Sequence, residues 1–110
     1  MTNLEIDRRL ALAIGYTTED VKFSNGSVWV LRSLPLDYPR SWWPFYHKAA
    51  DTIYPIAEHF KMMPVWLQLP NTWRNFLFLK NRKIRFVDHT DPRTCIALAV
   101  IEAAERGLLK

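Results

Sequence analysis

Residues 83–110 constrain this chain more than any other stretch, because they read as strand, cap and long helix in immediate succession. Lys83-Ile84-Arg85-Phe86-Val87 alternates polar and apolar, so a strand here buries Ile84 and Phe86 and leaves Lys83 and Arg85 in water. Asp88-His89-Thr90-Asp91-Pro92 then stops the strand and starts a helix. Asp91 or Thr90 can accept a backbone N–H as N-cap, and Pro92 stands where a missing donor costs nothing. At roughly 100° per residue, Ile96, Ala97, Val100, Ile101, Ala103, Ala104 and Leu108 fall on one arc, with Thr94, Glu102, Glu105 and Arg106 opposite. Burying each large aliphatic on that arc contributes roughly 1.5–3 kcal/mol, enough to anchor a domain. Such a helix needs a sheet or other helices to lie on.

The preceding residues supply them. Thr2-Asn3-Leu4-Glu5 has the spacing of a capping box, and Ile6, Leu10, Ala13 and Ile14 recur at helical spacing up to Gly15. The spacing predicts a helix from about Asn3 to Ile14, with Arg8 and Arg9 on its wet side. Val21-Lys22-Phe23 and Val28-Trp29-Val30-Leu31 flank Ser24-Asn25-Gly26-Ser27, whose Asn-Gly pair suits the positive φ angles of a tight hairpin. A proline-containing loop follows, and Trp42-Trp43 falls in it or opens a second helix with Ser41 and Pro44. That helix runs to Phe60 or Lys61 and starts near Trp43 or, with Asp51 as cap, at Thr52. Pro55 either kinks it or sits in its first turn. Residues 64–70 form a short strand bracketed by prolines, and Trp73–Lys80 is apolar on both sides at its centre, as in an interior strand. The expected fold is a single α+β domain over residues 1–110. An antiparallel sheet of about four to five strands is packed by N-terminal, middle and C-terminal helices, in the order α-ββ-α-βββ-α.

Composition narrows the chemistry. A single cysteine, Cys95, forms no internal disulfide and suits a reducing compartment. No leader-like start and no apolar run of membrane-spanning length is present, so the expected setting is the cytoplasm, without membrane contact. His47, His59 and His89 have neither paired spacing nor a Cys-x-x-Cys companion, so no metal site is expected. The three glycines are isolated and form no phosphate loop, and no cofactor is expected. Cys95, with His89, Asp88 and Asp91 nearby, is the one nucleophile-like grouping. A small buried thiol and a capping Asp91 account for it more simply, so an enzyme is not expected.

Two features bear on partners. Fifteen Lys and Arg against eleven Asp and Glu leave a formal charge of +4. Arg74, Lys80, Arg82, Lys83 and Arg85 lie in one stretch with no acidic residue among them, interleaved with Trp73, Phe76, Phe78 and Phe86. Cationic strands bearing exposed aromatics hold phosphates and stack bases in single-strand binders. The plainer reading is a hairpin with wet charges and core aromatics, which the alternation around Phe86 favours. Leu98, on the polar side of the last helix, and Trp42-Trp43 are candidates for a partner surface.

The motifs also carry a resemblance. Leu36-Asp37-Tyr38 after Pro35, Asp51-Thr52-Ile53-Tyr54-Pro55-Ile56-Ala57-Glu58, and Asp91 followed by Cys95-Ile96-Ala97-Leu98-Ala99-Val100-Ile101 resemble the NinX-like family of tailed phages, related to the phage ABA-sandwich domains. The first helix is similar too, with Glu5-Ile6-Asp7 leading through Ala11 to Gly15. Pro39–Ala50 looks like an insertion, and Tyr54 stands where the family has Trp. The resemblance implies a phage or prophage accessory protein in the bacterial cytoplasm and supplies no catalytic residues. The expected function is therefore non-enzymatic binding of a host or phage macromolecule, a protein above all. The alternative is nucleic-acid or nucleotide binding through residues 73–87. Self-association into a homo-oligomer is compatible with either.

Overall fold

The computed structural model describes residues 2–32, 39–68, 71–79, 82–86 and 88–108. The chain is α+β, with three α-helices and two three-stranded antiparallel sheets among these residues. Helix α1 (Asn3–Ala13) and a 3-10 turn (Thr18–Asp20) lead into β1 (Val21–Ser24), β2 (Ser27–Arg32) and β3 (Ser41–Pro44). Helix α2 (Ala50–His59) follows, then β4 (Met62–Leu67), β5 (Thr72–Leu79), β6 (Arg82–Arg85) and α3 (Pro92–Glu105). The sheets order β1-β2-β3 and β4-β5-β6. The single sheet of four to five strands expected from the sequence is thus replaced by two sheets.

The local reasons are plain in most elements. Thr2 caps α1 by accepting from the Glu5 N–H, while the Glu5 carboxylate pairs with Arg9 at 3.3 Å instead of reaching back to the cap. Asn25 and Gly26 both take positive φ, 53° and 76°, and close the β1–β2 hairpin with Ser24 opposite Ser27. Ser41–Pro44 does not open a helix. It pairs with β2, Trp43 opposite Val30 and Trp42 opposite Leu31, and as an edge strand it tolerates Pro44. Helix α2 begins only at Ala50, with Ala49 as N-cap and Asp51 inside the first turn. Pro55 lies within that helix, past its first turn, and deprives the Asp51 carbonyl of its intrahelical donor. Strand β5 is the central strand of its sheet, as its two-sided apolar pattern indicated.

Helix α3 is the hub. Asp91 caps it by accepting from the Arg93 N–H at 2.9 Å, with Pro92 in the first turn. It packs against α1, α2, β4 and β5, while α1 packs on β1 and β2. The described layers therefore run sheet, α1, α3, sheet along a body measuring 45 × 31 × 22 Å. This is not a helix–sheet–helix sandwich. Because α3 is covered from several sides, its buried set (Thr94, Cys95, Ile96, Ala97, Ala99, Val100, Ile101 and Ala103) wraps beyond the arc expected from periodicity. Thr94, expected on the wet side, is inside.

Thr94 is inside because it ends a buried polar chain. Asp7 of α1, His47 before α2 and Thr94 of α3 are 3%, 1% and 3% exposed. Asp7 Oδ1 accepts from the His47 backbone N–H at 2.7 Å and from its Nδ1 at 2.5 Å. His47 Nε2 faces Thr94 Oγ1 at 3.2 Å. Two surface contacts reinforce the tie, Arg93 donating to the Lys48 carbonyl and Lys48 Nζ lying 3.6 Å from Asp91.

Removing the carboxylate leaves two buried donors of His47 without an acceptor. Asp7→Ala should therefore lower stability by about 2–4 kcal/mol, or about 10–20 °C in melting temperature. Arg9→Ala removes only an exposed pair and should change stability by less than about 0.5 kcal/mol. Urea and thermal unfolding of the two variants check this; equal losses would show that the buried chain carries no weight.

Candidate nucleic-acid interface

The second sheet shows α3 one face and turns the other outward. Leu77 stands opposite Met62 and Ile84, and all three are buried with Asn75 and Phe86 on the helix side. Strand alternation puts Val65, Arg74, Phe76, Lys83 and Arg85 on the other side, where no described element packs. Phe86 and Ile84 face in and Lys83 and Arg85 are exposed, as the alternation indicated.

Six residues were candidates for binding here, and the structure separates them. Lys83 and Arg85 are exposed on the open face, and Lys83 Nζ lies 4.3 Å from the centroid of the half-buried Phe76 ring. Arg74 shares the face but is held by Asp88 in a two-pronged pair, Nε to Oδ1 at 2.7 Å and Nη2 to Oδ2 at 3.0 Å. Its charge is largely neutralised there. Trp73 is on the wrong side: it alternates with Arg74 and shares the helix-side face with Asn75. Its ring meets that of Trp66 at 5.3 Å, and Trp66 is 45% exposed. Lys80 falls outside the described residues, and for Arg82 only the strand position opposite Leu79 is described.

The Arg74–Asp88 pair was not legible from the sequence. It arises where the pairing of β5 slips: Phe76 is opposite Arg85, yet Trp73 bridges His89, one residue out of step. The Arg74 hydrogen bond holds the Asp88 carboxylate below its ordinary value despite burial, and the Arg85 charge adds to this. Asp91 is also held low; burial opposes its ionisation, but the N–H groups of Arg93 and Thr94 and the Lys48 charge outweigh it.

The Cys95 grouping is assembled differently from a nucleophile site. Cys95 is fully buried and its thiol donates to the Trp73 carbonyl at 3.4 Å. Burial, with the Asp88 charge adding, pushes the thiol up to about 11. His89 Nδ1 accepts from the Asp91 N–H at 2.9 Å, and Asp91 is the helix cap. The Asp7–His47–Thr94 chain has the order of an acid, imidazole and hydroxyl relay, but all three are sealed from solvent, so it reads as a structural tie. Among the described residues no group of three His, Cys, Asp or Glu side chains is placed to hold a metal ion, and no helix is long and apolar enough to cross a membrane.

Trp42, Trp43 and Leu98 do not form one surface. Trp42 and Trp43 point to opposite sides of β3, Trp42 lying under Lys22 Nζ at 4.4 Å and Trp43 facing the α2 side. Leu98 is half-buried against the core.

Two measurements follow from these environments. A depressed carboxylate contributes stability that is fully present above its ordinary value of 3.8 and is lost as the pH falls through its folded value. Urea midpoints should therefore hold above about pH 5 and drop steeply below about pH 4. Asp88→Asn should lower the neutral-pH midpoint and flatten the acid drop; an unchanged acid profile would discount the pair. Native Cys95 should react with iodoacetamide at least about a hundredfold more slowly than the same thiol in denaturant, since little thiolate forms near neutral pH. Equal rates would contradict the sealed placement.

No family model, no curated protein and no solved structure matches the chain.

Proposed function

We propose that this chain is a non-enzymatic binding protein that holds single-stranded nucleic acid on the open face of its second sheet. The observation that supports the reading is the juxtaposition of Lys83 and Arg85, both exposed, with the outward Phe76 ring on a face that no described element covers. Two cations spaced along one strand match a phosphate backbone, and a ring between strands offers a base a stacking partner. The neutralised Arg74 and the helix-side Trp73 are outside this site. The family resemblance supplies the setting we propose, a phage or prophage accessory protein acting on a macromolecule in the bacterial cytoplasm.

Fluorescence anisotropy with labelled oligothymidylate tests the proposal. Charge reversal of both Lys83→Glu and Arg85→Glu should weaken binding more than about tenfold, and Phe76→Ala by about fivefold or more. Raising salt from about 50 to about 200 mM should weaken it about sevenfold if two phosphates are neutralised. Binding that survives charge reversal, or that ignores salt, rejects the site.

A further inference from the structure

A second concavity lies in the other half of the molecule, where β3 runs toward α2. It encloses about 460 Å³, within the range of small-molecule sites. Tyr16, Trp43, Phe45, Pro55 and Ile56 supply apolar wall, and Arg32 supplies a cation. None of the proposed nucleic-acid contacts reaches it.

Arg32 is the telling residue. It lies at the end of β2 on the same side of the sheet as Val30 and Trp43, and its guanidinium carbon is 6.0 Å from the centroid of the Trp43 ring. Among the described residues its buried Nε has no hydrogen-bond partner and no carboxylate pairs with it. Among the described residues, the other arginines that lie partly inside the molecule have partners: Arg74 has Asp88 and Arg93 has the Lys48 carbonyl. A guanidinium is the side chain best shaped to take a carboxylate or phosphate.

The remaining wall fixes the body of the ligand. Tyr16 and Phe45 meet edge to face at 6.3 Å, and with Trp43 and Ile56 they supply aromatic and aliphatic wall against which a ring can pack. Asp51 at the rim disfavours a ligand carrying anionic groups at both ends and can accept from a ring N–H. We propose that this cleft binds a small flat aromatic anion, with its one carboxylate or phosphate on Arg32 and its ring against Trp43 and Tyr16.

Two probes distinguish the sources of that chemistry: indole-3-acetate for an aryl carboxylate and adenosine 5′-monophosphate for a nucleotide. Each is titrated into isotope-labelled protein and followed by amide chemical shifts and calorimetry. At least one should bind with Kd below about 1 mM, moving the resonances of Arg32, Trp43 and Ile56. Its neutral counterpart, indole-3-acetamide or adenosine, should bind at least tenfold more weakly. Arg32→Gln should weaken the anion at least tenfold. Ala49→Phe, which fills the cleft from its wall and leaves Arg32 in place, should abolish binding even if Arg32→Gln fails to fold. Lys83→Glu with Arg85→Glu should leave it unchanged. The proposal is overturned if neither probe moves those resonances at millimolar concentration or the neutral counterparts bind equally well. It is equally overturned if binding disappears with Lys83 and Arg85 and not with Ala49→Phe.

Discussion

The fold depends on one buried carboxylate. Asp7 reaches out of α1 to take both the backbone N–H and the Nδ1 of His47, and His47 turns its other nitrogen to Thr94 of α3. A carboxylate oxygen only accepts, so Nδ1 carries the hydrogen and the ring is oriented by that bond. A buried charged or polar chain of this kind is weak evidence of net stabilisation, because desolvation offsets much of the attraction. Its effect is on specificity. Any packing of α1 against α3 that does not bring Asp7 to His47 strands a carboxylate and an imidazole in the core, so this chain selects one helix pairing and one position for residues 45–49. Phe45, His47 and the start of α2 take their places from it.

The layering follows from that selection. With α1 and α3 packed on each other, each also packs on a different three-stranded sheet, and α3 is further covered by α2. One larger sheet would lay its helices side by side on a common face; here the helices stack in the middle. The consequence is two outward sheet faces in place of one. On the first sheet that face carries Lys22 over Trp42, and on the second Lys83 over Phe76. In each case a lysine lies over an aromatic ring and covers part of it, which reduces the apolar surface a monomer shows to water.

How much of this was legible in the sequence depends on how local the cause is. The β1–β2 hairpin was, because Asn25-Gly26 is a backbone requirement written in two adjacent residues. So were the Thr2 and Asp91 caps and the inward Ile84 and Phe86. Trp42-Trp43 was not, since the same residues suit a helix start or a strand, and pairing with Val30 and Leu31 decides it. The side taken by Trp73 was hidden because alternation counted on β6 does not transfer across a turn whose register is unknown. Asp7, His47 and Thr94 are separated by 40 and 47 residues, and nothing local marks an acid on a helix as the partner of a distant imidazole. Two signals were available and ambiguous: Asp7 lies next to Ile6 on an apolar helix face, and Thr94 lies in the first turn of a helix otherwise rich in apolar residues. Arg32 carried no signal at all, being an ordinary polar residue at the end of a strand until its surroundings are known.

On the proposed reading, the open second sheet would discriminate among nucleic acids on physical grounds. Two exposed cations neutralise few phosphates, so electrostatics alone gives weak, salt-sensitive attraction to any polyanion. Discrimination has to come from Phe76, and a ring lying on a sheet can stack only with a base that is free of its own stack. A duplex offers no such base and meets the face through its backbone alone. A single strand offers one, but Lys83 already lies over the ring and must leave it for the base to enter. That exchange would favour the base: the cation–π contact given up is worth about 0.5–1 kcal/mol at an exposed site, while the incoming base contributes about 1–3 kcal/mol. The displaced ammonium is then beside the strand's phosphate and regains a partner. Under the proposed function, binding at this face would swap one partner of Lys83 and Phe76 for another, and the gain would be confined to ligands that present a base and a phosphate together.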